Sequence, residues 1–342
     1  MIEPPFLLYL GHSNDEIGIK TSRGLAAFRR DDCVGELRHD DSRLTLGLPR
    51  MSVAEARAAG ARTLVLGIAN AGGSLGEDLV ADALQAIEAG MNVASGLHER
   101  LRDDPRLAEA ARRKGVTLHD VRDPAPGIPV GNGKPRAGRR LLTVGTDCSV
   151  GKMYTTLALR DAIRAKGLVA DFRATGQTGI LIAGEGVPLD AVIADFISGA
   201  IEQLAPARED DGWDLVEGQG SLFHPSFAGV STGLLHGAQP AAIVLCHDPS
   251  RSHMRGLPHY AVPGLSECLE ANLRVGRLTS PEVEAVGIAL NTVKLEESEA
   301  RRLCAETGES LGLPCTDPYR FGAAPIVDRL VERFPTRSLA AE

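Results

Sequence analysis

The stretch LLTVGTDCSVGKMYTTLAL, residues 141–159, decides the fold. Leu141 to Val144 are apolar or β-branched and read as a buried strand. Gly145 to Gly151 read as a turn, and the residues from Lys152 onward as the first turns of a helix. A strand, a glycine-containing turn and a helix in that order bring backbone N–H groups together at a helix start, where they bind phosphate oxygens. Lys152 adds an ammonium at the place such a loop needs one. The pattern predicts a site for a phosphate-bearing ligand. The alternative is a corner between strand and helix with a structural role alone.

The spacing from Thr146 is T-x-x-x-x-G-K-M. The usual first glycine is therefore Thr146, and the residue after the lysine is Met153 rather than Ser or Thr. In nucleoside-triphosphate hydrolases that hydroxyl holds a magnesium ion. A thioether is a poor ligand for a hard cation. The loop suits phosphate binding better than metal-assisted phosphoryl transfer.

Working outward, residues 5–123 alternate short apolar runs with helical patterns. FLLYL, RTLVLG, MNVASG and VTLHDV read as strands. Helices are expected around residues 21–28, in VAEARAAG, in EDLVADALQAIEAG and in ERLRDDPRLAEAARRKG. Ser52 with Glu55, and Ser74 with Glu77, form two capping-box patterns. Residues 122–140, RDPAPGIPVGNGKPRAGRR, lack apolar periodicity and read as a linker. Beyond it, strands are expected in LVADFRAT, WDLVEGQG, AAIVLCHD and VEAVGIALNT. The expected fold is α/β in two domains, each a mostly parallel sheet with helices on both faces. The expected boundaries are 1–123 for a Rossmann-like domain, 124–138 for a linker, 139–335 for a domain built on the phosphate loop, and 336–342 for a frayed tail.

The 342 residues are 43% apolar and 24% charged, as in an ordinary globular protein, and aromatics are only 4%, so the core rests on aliphatic side chains. A formal charge of −8 and the lack of a basic run argue against nucleic-acid binding. Apolar runs such as residues 241–246 are far too short to span a bilayer. The N-terminal MIEPPFLLYLG has no basic region, so a cytoplasmic protein is expected. The six cysteines show no C-x-x-C pair and read as reduced thiols. His247, His253 and His259 recur every sixth residue, which stacks no two on one helix face, so no metal is expected.

Two resemblances extend this reading. Residues 145–153, GTDCSVGKM, resemble the G-T-D-T-x-x-G-K-T loop of dethiobiotin-synthetase-like P-loop proteins. Glu217-Gly218-Gln219-Gly220 resembles their E-G-x-G turn, and Asn291 resembles their base-reading asparagine. Over nearly the whole chain, KTSRGLAAFRRDDCVGELR, SGLHERL, VGTDCSVGKMYT, DFRATGQTGILIAG, EGQGSLFHPSFAGVS and CHDPSRSHMRGLPHY are similar to one bacterial family. That family joins a Rossmann-like N-terminal domain to a P-loop C-terminal domain and includes N-acetyltransferases of D-amino acids, D-glutamate in particular. The resemblance implies acetyl-CoA as co-substrate and an amino-acid epimerase as pathway neighbour. A homo-oligomer is also expected.

Such a reaction needs a grip on coenzyme phosphates, a deprotonated amine, donors for the developing oxyanion and a clamp on the substrate carboxylates. Thr146, Asp147, Cys148, Ser149, Val150, Gly151, Lys152, Met153 and Tyr154 are the candidates for the first. Glu217 and His224 are the candidate bases, although a lone histidine is more often structural. For the clamp, Arg251, His253 and Arg255 lie on a loop following a buried strand, and arginine forks match carboxylates. The alternative is a solvated loop. Arg173 and Gln177, after another strand, are further substrate candidates, with a structural salt bridge the alternative for Arg173. Cys148 is conceivable as a covalent acetyl acceptor. In the N-terminal domain, Gly67, Asn70, Gly72, Gly73 and Ser74 form a candidate anion turn, and Lys20, Thr21 and Arg23 a polar cluster that closes over a ligand or simply begins a helix. The competing functions are an ATP/Mg-dependent ligase of dethiobiotin-synthetase type and a non-catalytic nucleotide sensor.

Overall fold

The computed structural model describes residues 2–16, 18–68 and 73–335, and divides the chain into two compact units. The first comprises Met1–Pro124 with Gly176–Ala191, the second Ala125–Thr175 with Val192–Glu342. Each is an α/β unit with a parallel sheet covered by helices. No described helix is long and apolar enough to cross a membrane.

The first unit's strands are β1 (Phe6–Gly11), β2 (Cys33–Arg38), β3 (Thr63–Leu66), β4 (Asn92–Ser95) and β5 (Leu118–Asp120). They pair in parallel in the order β2-β1-β3-β4-β5, so the chain reverses its direction of growth between β1 and β3. β1 and β3 are buried along their whole length, which is why both read as unbroken apolar runs. β2, CVGELR, is only half-buried, with Glu36 and Arg38 paired on one face at 3.1 Å, and its sequence gives no such run.

The helices α1 (Lys20–Phe28), α2 (Val53–Ala58), α3 (Glu77–Glu88) and α4 (Pro105–Lys114) connect these strands. The expected capping box starts α2: Ser52 Oγ accepts from Glu55 N at 3.3 Å, and Glu55 Oε2 accepts from Ser52 N at 2.8 Å. The second expected box does not form. α3 begins at Glu77 behind an extended Gly76, the Glu99 carboxylate takes the Leu75 N–H at 2.7 Å, and the Glu77 carboxylate pairs with Arg106 at 2.7 Å. The long helix expected over residues 99–115 is also split. Asp104 caps the Arg106 and Leu107 N–H groups, and Pro105 restarts the helix as its first residue.

The polar cluster near residue 20 opens α1. Thr21 is buried with its hydroxyl 2.8 Å from that of Thr178, and Arg23 is paired with Glu16. Of the candidate anion turn, Asn70 and Gly72 lie outside the described residues, as does the tail 336–342.

The second unit's sheet contains β6 (Arg139–Gly145), β7 (Ala170–Arg173), β8 (Trp213–Val216), β9 (Ala242–His247), β12 (Glu284–Leu290) and β13 (Cys315–Thr316). All pair in parallel in the order β13-β12-β9-β6-β8-β7, with a separate antiparallel hairpin of β10 (His253–Met254) and β11 (Leu257–Ala261). The helices are α5 (Lys152–Ala165), α6 (Gln177–Ala183, within the first unit), α7 (Ile197–Leu204), α8 (Ala228–Ala238), α9 (Leu265–Gly276), α10 (Glu297–Leu311) and α11 (Ala324–Arg333). The core gathers Leu141, Ile163, Trp213, Leu215, Val244 and Ile326, all 2% exposed or less.

Residues 124–138 hold neither helix nor strand. Part of that segment is nonetheless pinned: the Glu202 carboxylate on α7 accepts from Asn132 N and Gly133 N, each at 2.9 Å. β6 sits inside the sheet between β8 and β9, so the loop leaving its carboxyl end is flanked by the loops leaving both neighbours.

Candidate functional site

The loop 146–151 joins β6 to α5, as the sequence reading expects. Gly151 is the N-cap of α5 at φ 103°, a conformation open to glycine, and Ser149 adopts φ 54°, which few non-glycine residues do. Two left-handed residues so close together turn the chain sharply into the helix. Thr146 is buried and fixed on three sides. Its N–H donates to Cys246 O at 3.1 Å, its hydroxyl lies 2.9 Å from His247 Nδ1, and its carbonyl accepts from Ser221 Oγ at 3.0 Å. Burial pushes the His247 imidazole below its ordinary range, which keeps the ring neutral near pH 7. β9 runs one residue further than its apolar run suggests, to His247, and so places that ring beside the loop.

Lys152 is buried, and its ammonium donates to Asp147 O and to Gly220 O, both at 2.8 Å. Burial lowers its pKa, against the opposing pull of Cys148, Cys246 and Asp147. Gly218 of the E-G-x-G turn lies against both the β6 backbone and this side chain. A Cβ on Gly218 would lie 1.7 Å from Thr143 O and 2.8 Å from Lys152 Cδ. Only glycine fits there.

Glu217, at the end of β8, is buried; its Oε2 accepts from Thr175 N at 2.9 Å and its carbonyl from Thr175 Oγ1 at 2.6 Å. His224 is 2% exposed. Its Nδ1 accepts from Ser226 N at 3.2 Å, and its ring packs on Phe227 with centroids 4.5 Å apart. A ring nitrogen of His224, a carboxylate oxygen of Asp147 and Cys148 Sγ all lie within 4.8 Å of one another.

The arginines after β9 close on the loop itself. Arg251 Nη1 donates to Asp147 Oδ2 at 2.9 Å and to Cys148 O at 2.7 Å, and Nη2 donates to Ser149 O at 2.8 Å. Arg251 Nε meets Asp248 Oδ2 at 3.0 Å. Arg255 N donates to the same Asp147 Oδ2 at 2.8 Å, and Arg255 Nη1 donates to Ser149 Oγ at 2.6 Å. His253 is exposed on β10, with Nδ1 2.9 Å from the Ser252 hydroxyl. Arg173 is in a salt bridge with the fully buried Asp214, 2.8 Å away. Gln177 opens α6 and belongs to the first unit.

Val150 is 2% exposed and belongs to the core. Met153 is half-buried at the second position of α5. Tyr154 makes an edge-to-face contact with Tyr319, centroids 5.2 Å apart. Ser221, Thr175 and Asp248 complete the site's hydrogen bonds, and only their closeness to singled-out residues hints at them in the sequence.

Asp147, Cys148 and His224 have the residue types of a metal site, yet their setting favours an anion. Asp147 Oδ1 accepts from Cys148 N at 2.6 Å and Oδ2 accepts from Arg251 and Arg255. Burial pushes the Cys148 thiol up, away from the thiolate a metal needs. Lys152, Arg251 and Arg255 all carry positive charge to the loop.

A Rossmann-like unit and a second unit built around a strand, a glycine-capped loop and a helix define a two-domain P-loop protein of the α/β class. Its family is settled by comparison with known proteins: the chain belongs to the DUF1611 family. A model described as a domain of unknown function (DUF1611_C) P-loop domain matches residues 129–327, and one described as a DUF1611_N Rossmann-like domain matches residues 34–124. Among relatives, a protein of Tritonibacter scottomollicae named D-glutamate N-acetyltransferase is 51% identical over 96% of this chain and 99% of its own. A Pseudoalteromonas protein of the same name is 47% identical over the same shares. A crystal structure of a DUF1611 family protein from Anabaena variabilis superposes with a TM-score of 0.88, at 34% identity, covering 96% of this chain and all of that one.

Proposed function

We propose that this chain is a D-glutamate N-acetyltransferase that takes its acetyl group from acetyl-CoA. The observation that carries the reading is similarity over 96% of the chain to two proteins of that name. The loop supports it. Coenzyme A carries a diphosphate and a ribose phosphate, and the loop offers a buried ammonium at Lys152 and a glycine-capped helix start at Gly151. Met153 leaves that loop without the hydroxyl that holds magnesium in phosphoryl-transfer enzymes, and acetyl transfer requires no such ion. The amine nitrogen attacks the thioester carbonyl carbon, the C–S bond breaks, and the amine's proton ends on the departing thiolate.

The test is thiol release from acetyl-CoA in the presence of D-glutamate, with L-glutamate in parallel. Release with the D-isomer supports the reading, and none with either isomer overturns it. The E-G-x-G turn favours a second reading, an ATP/Mg-dependent ligase. A ligand that binds only the folded state raises its melting temperature. A rise with coenzyme A and none with ATP–Mg favours the transferase, and the reverse pattern favours the ligase.

A further inference from the structure

We propose that His224 is an anion ligand of the phosphate loop, donating its Nε2–H to a phosphate oxygen of the bound coenzyme. The inference rests on the reading of this loop as the coenzyme's phosphate site. Ser226 N–H donates to Nδ1 at 3.2 Å, so Nδ1 presents a lone pair and the ring N–H is on Nε2. The ring is 2% exposed, and among the described residues Nε2 has no hydrogen-bond partner. Buried donors in folded proteins are almost always paired, so an orphan beside a ligand site marks a bond that the ligand completes. The ring's place is fixed: His224 N donates to Ser221 O at 3.1 Å, Phe227 N donates to His224 O at 3.0 Å, and the Phe227 ring packs against the imidazole. Ser221 is itself bonded to Thr146 of the loop.

The ligand is an anion, not a metal ion. A metal needs a nitrogen lone pair, and the Ser226 N–H already occupies the one on Nδ1. The same bond argues against His224 as general base, which is one of its two roles in the sequence reading. The thioester also lies at the far end of the pantetheine arm from the diphosphate, so a side chain beside Asp147 and Cys148 faces the phosphate end. Asp147 does not repel the anion, because Arg251 and the Arg255 N–H hold its carboxylate. With Met153 in place of the magnesium-holding hydroxyl, charge on the phosphates falls to N–H donors, and His224 joins Lys152 in that role.

Magnesium-free calorimetric titration with inorganic pyrophosphate and with coenzyme A tests the assignment on wild type, His224→Phe and His224→Gln. The phenylalanine keeps the ring without the donor, and the glutamine amide keeps a donor. We expect the Phe variant to lose at least about tenfold in affinity for both ligands, and the Gln variant to stay within about threefold. The KM for acetyl-CoA rises in parallel in the Phe variant, and the loss on S-acetyl-pantetheine, which has no phosphate, is smaller. Equal losses on both donors, or wild-type pyrophosphate affinity in the Phe variant, overturn the assignment. If the variants do not fold, long-range proton–nitrogen NMR on the wild type decides: pyrophosphate must shift the His224 Nε2–H resonance, and an unmoved resonance overturns the proposal. Failure of the transferase reading is separately visible, as pyrophosphate binding by wild type with no acetyl transfer from either donor.

Discussion

Arg251 grips Asp147 across the phosphate loop, with Nη1 2.9 Å from Oδ2 of a carboxylate that is fully buried. The same guanidinium holds two loop carbonyls, so it acts as a brace. Removing one partner of a buried ion pair leaves the other charge uncompensated, which costs about 3–5 kcal/mol; the partial exposure of Arg251 puts this case near the lower figure, at about 3 kcal/mol. Arg251→Ala therefore lowers the urea midpoint by an amount equivalent to about 3 kcal/mol, and weakens coenzyme A binding with it. Arg251→Lys recovers part of the loss, because an ammonium restores the charge without the fork. A variant of wild-type stability with only a raised KM for D-glutamate would instead identify a substrate clamp.

How far the sequence reached this arrangement depends on what is local. Strand, turn and helix over residues 141–159 are periodic and short-range, and they appear as read. Arg251 and Arg255 were legible as cations at the carboxyl edge of the sheet, but their partners were not. Those partners depend on a carboxylate 104 residues away being buried with an oxygen open to them. Gln177 follows β7 by four residues and still belongs to the first unit, a crossing that no spacing announces. The Ser74–Glu77 box failed for a similar reason, since the competing partners Glu99 and Arg106 lie 24 and 29 residues from the groups they bind.

Gly218→Ala tests the fit between the E-G-x-G turn and the lysine. The new methyl would meet a β6 carbonyl at 1.7 Å and the Lys152 stem at 2.8 Å. The carbonyl belongs to a central strand and cannot yield cheaply. Overpacking of this kind costs about 1–3 kcal/mol, and backbone on one side places this substitution at the upper end. A melting temperature lowered by several degrees, together with weakened coenzyme A binding, is the expected result. A change in stability alone would mean that Lys152 keeps its place.

Lys152 makes binding depend on pH in a defined direction. Burial holds its pKa below that of the unfolded chain, so at alkaline pH, between those two values, the unfolded state binds more protons and stability rises with pH. An anion beside the amine favours the ammonium and raises the pKa. Between the lowered and the raised values, binding of coenzyme A is therefore accompanied by proton uptake, and affinity falls with rising pH over that interval. Calorimetry in two buffers of different ionisation enthalpy reads the uptake directly. Lys152→Ala abolishes it and weakens coenzyme A binding about 10- to 100-fold, with little change in the KM for D-glutamate. Equal losses on both substrates would mean that donor and acceptor share this end of the site.

Cys148 decides between direct transfer and an acetyl-enzyme. Cys148 lies in the loop that leads into α5, and a helix N-terminus lowers the pKa of a thiol beside it. Lys152, Arg255 and Arg251 pull the same way, but burial outweighs them and the net shift is upward. At neutral pH the sulfur is thus a protonated thiol, a poor nucleophile toward a thioester. Initial-rate lines for acetyl-CoA and D-glutamate should intersect, as direct attack by the amine requires. Intact-mass measurement after incubation with acetyl-CoA alone should show no acetyl adduct. Parallel lines together with an adduct that Cys148→Ser removes would establish the covalent route, and would require that coenzyme binding first draw the thiol toward its anion.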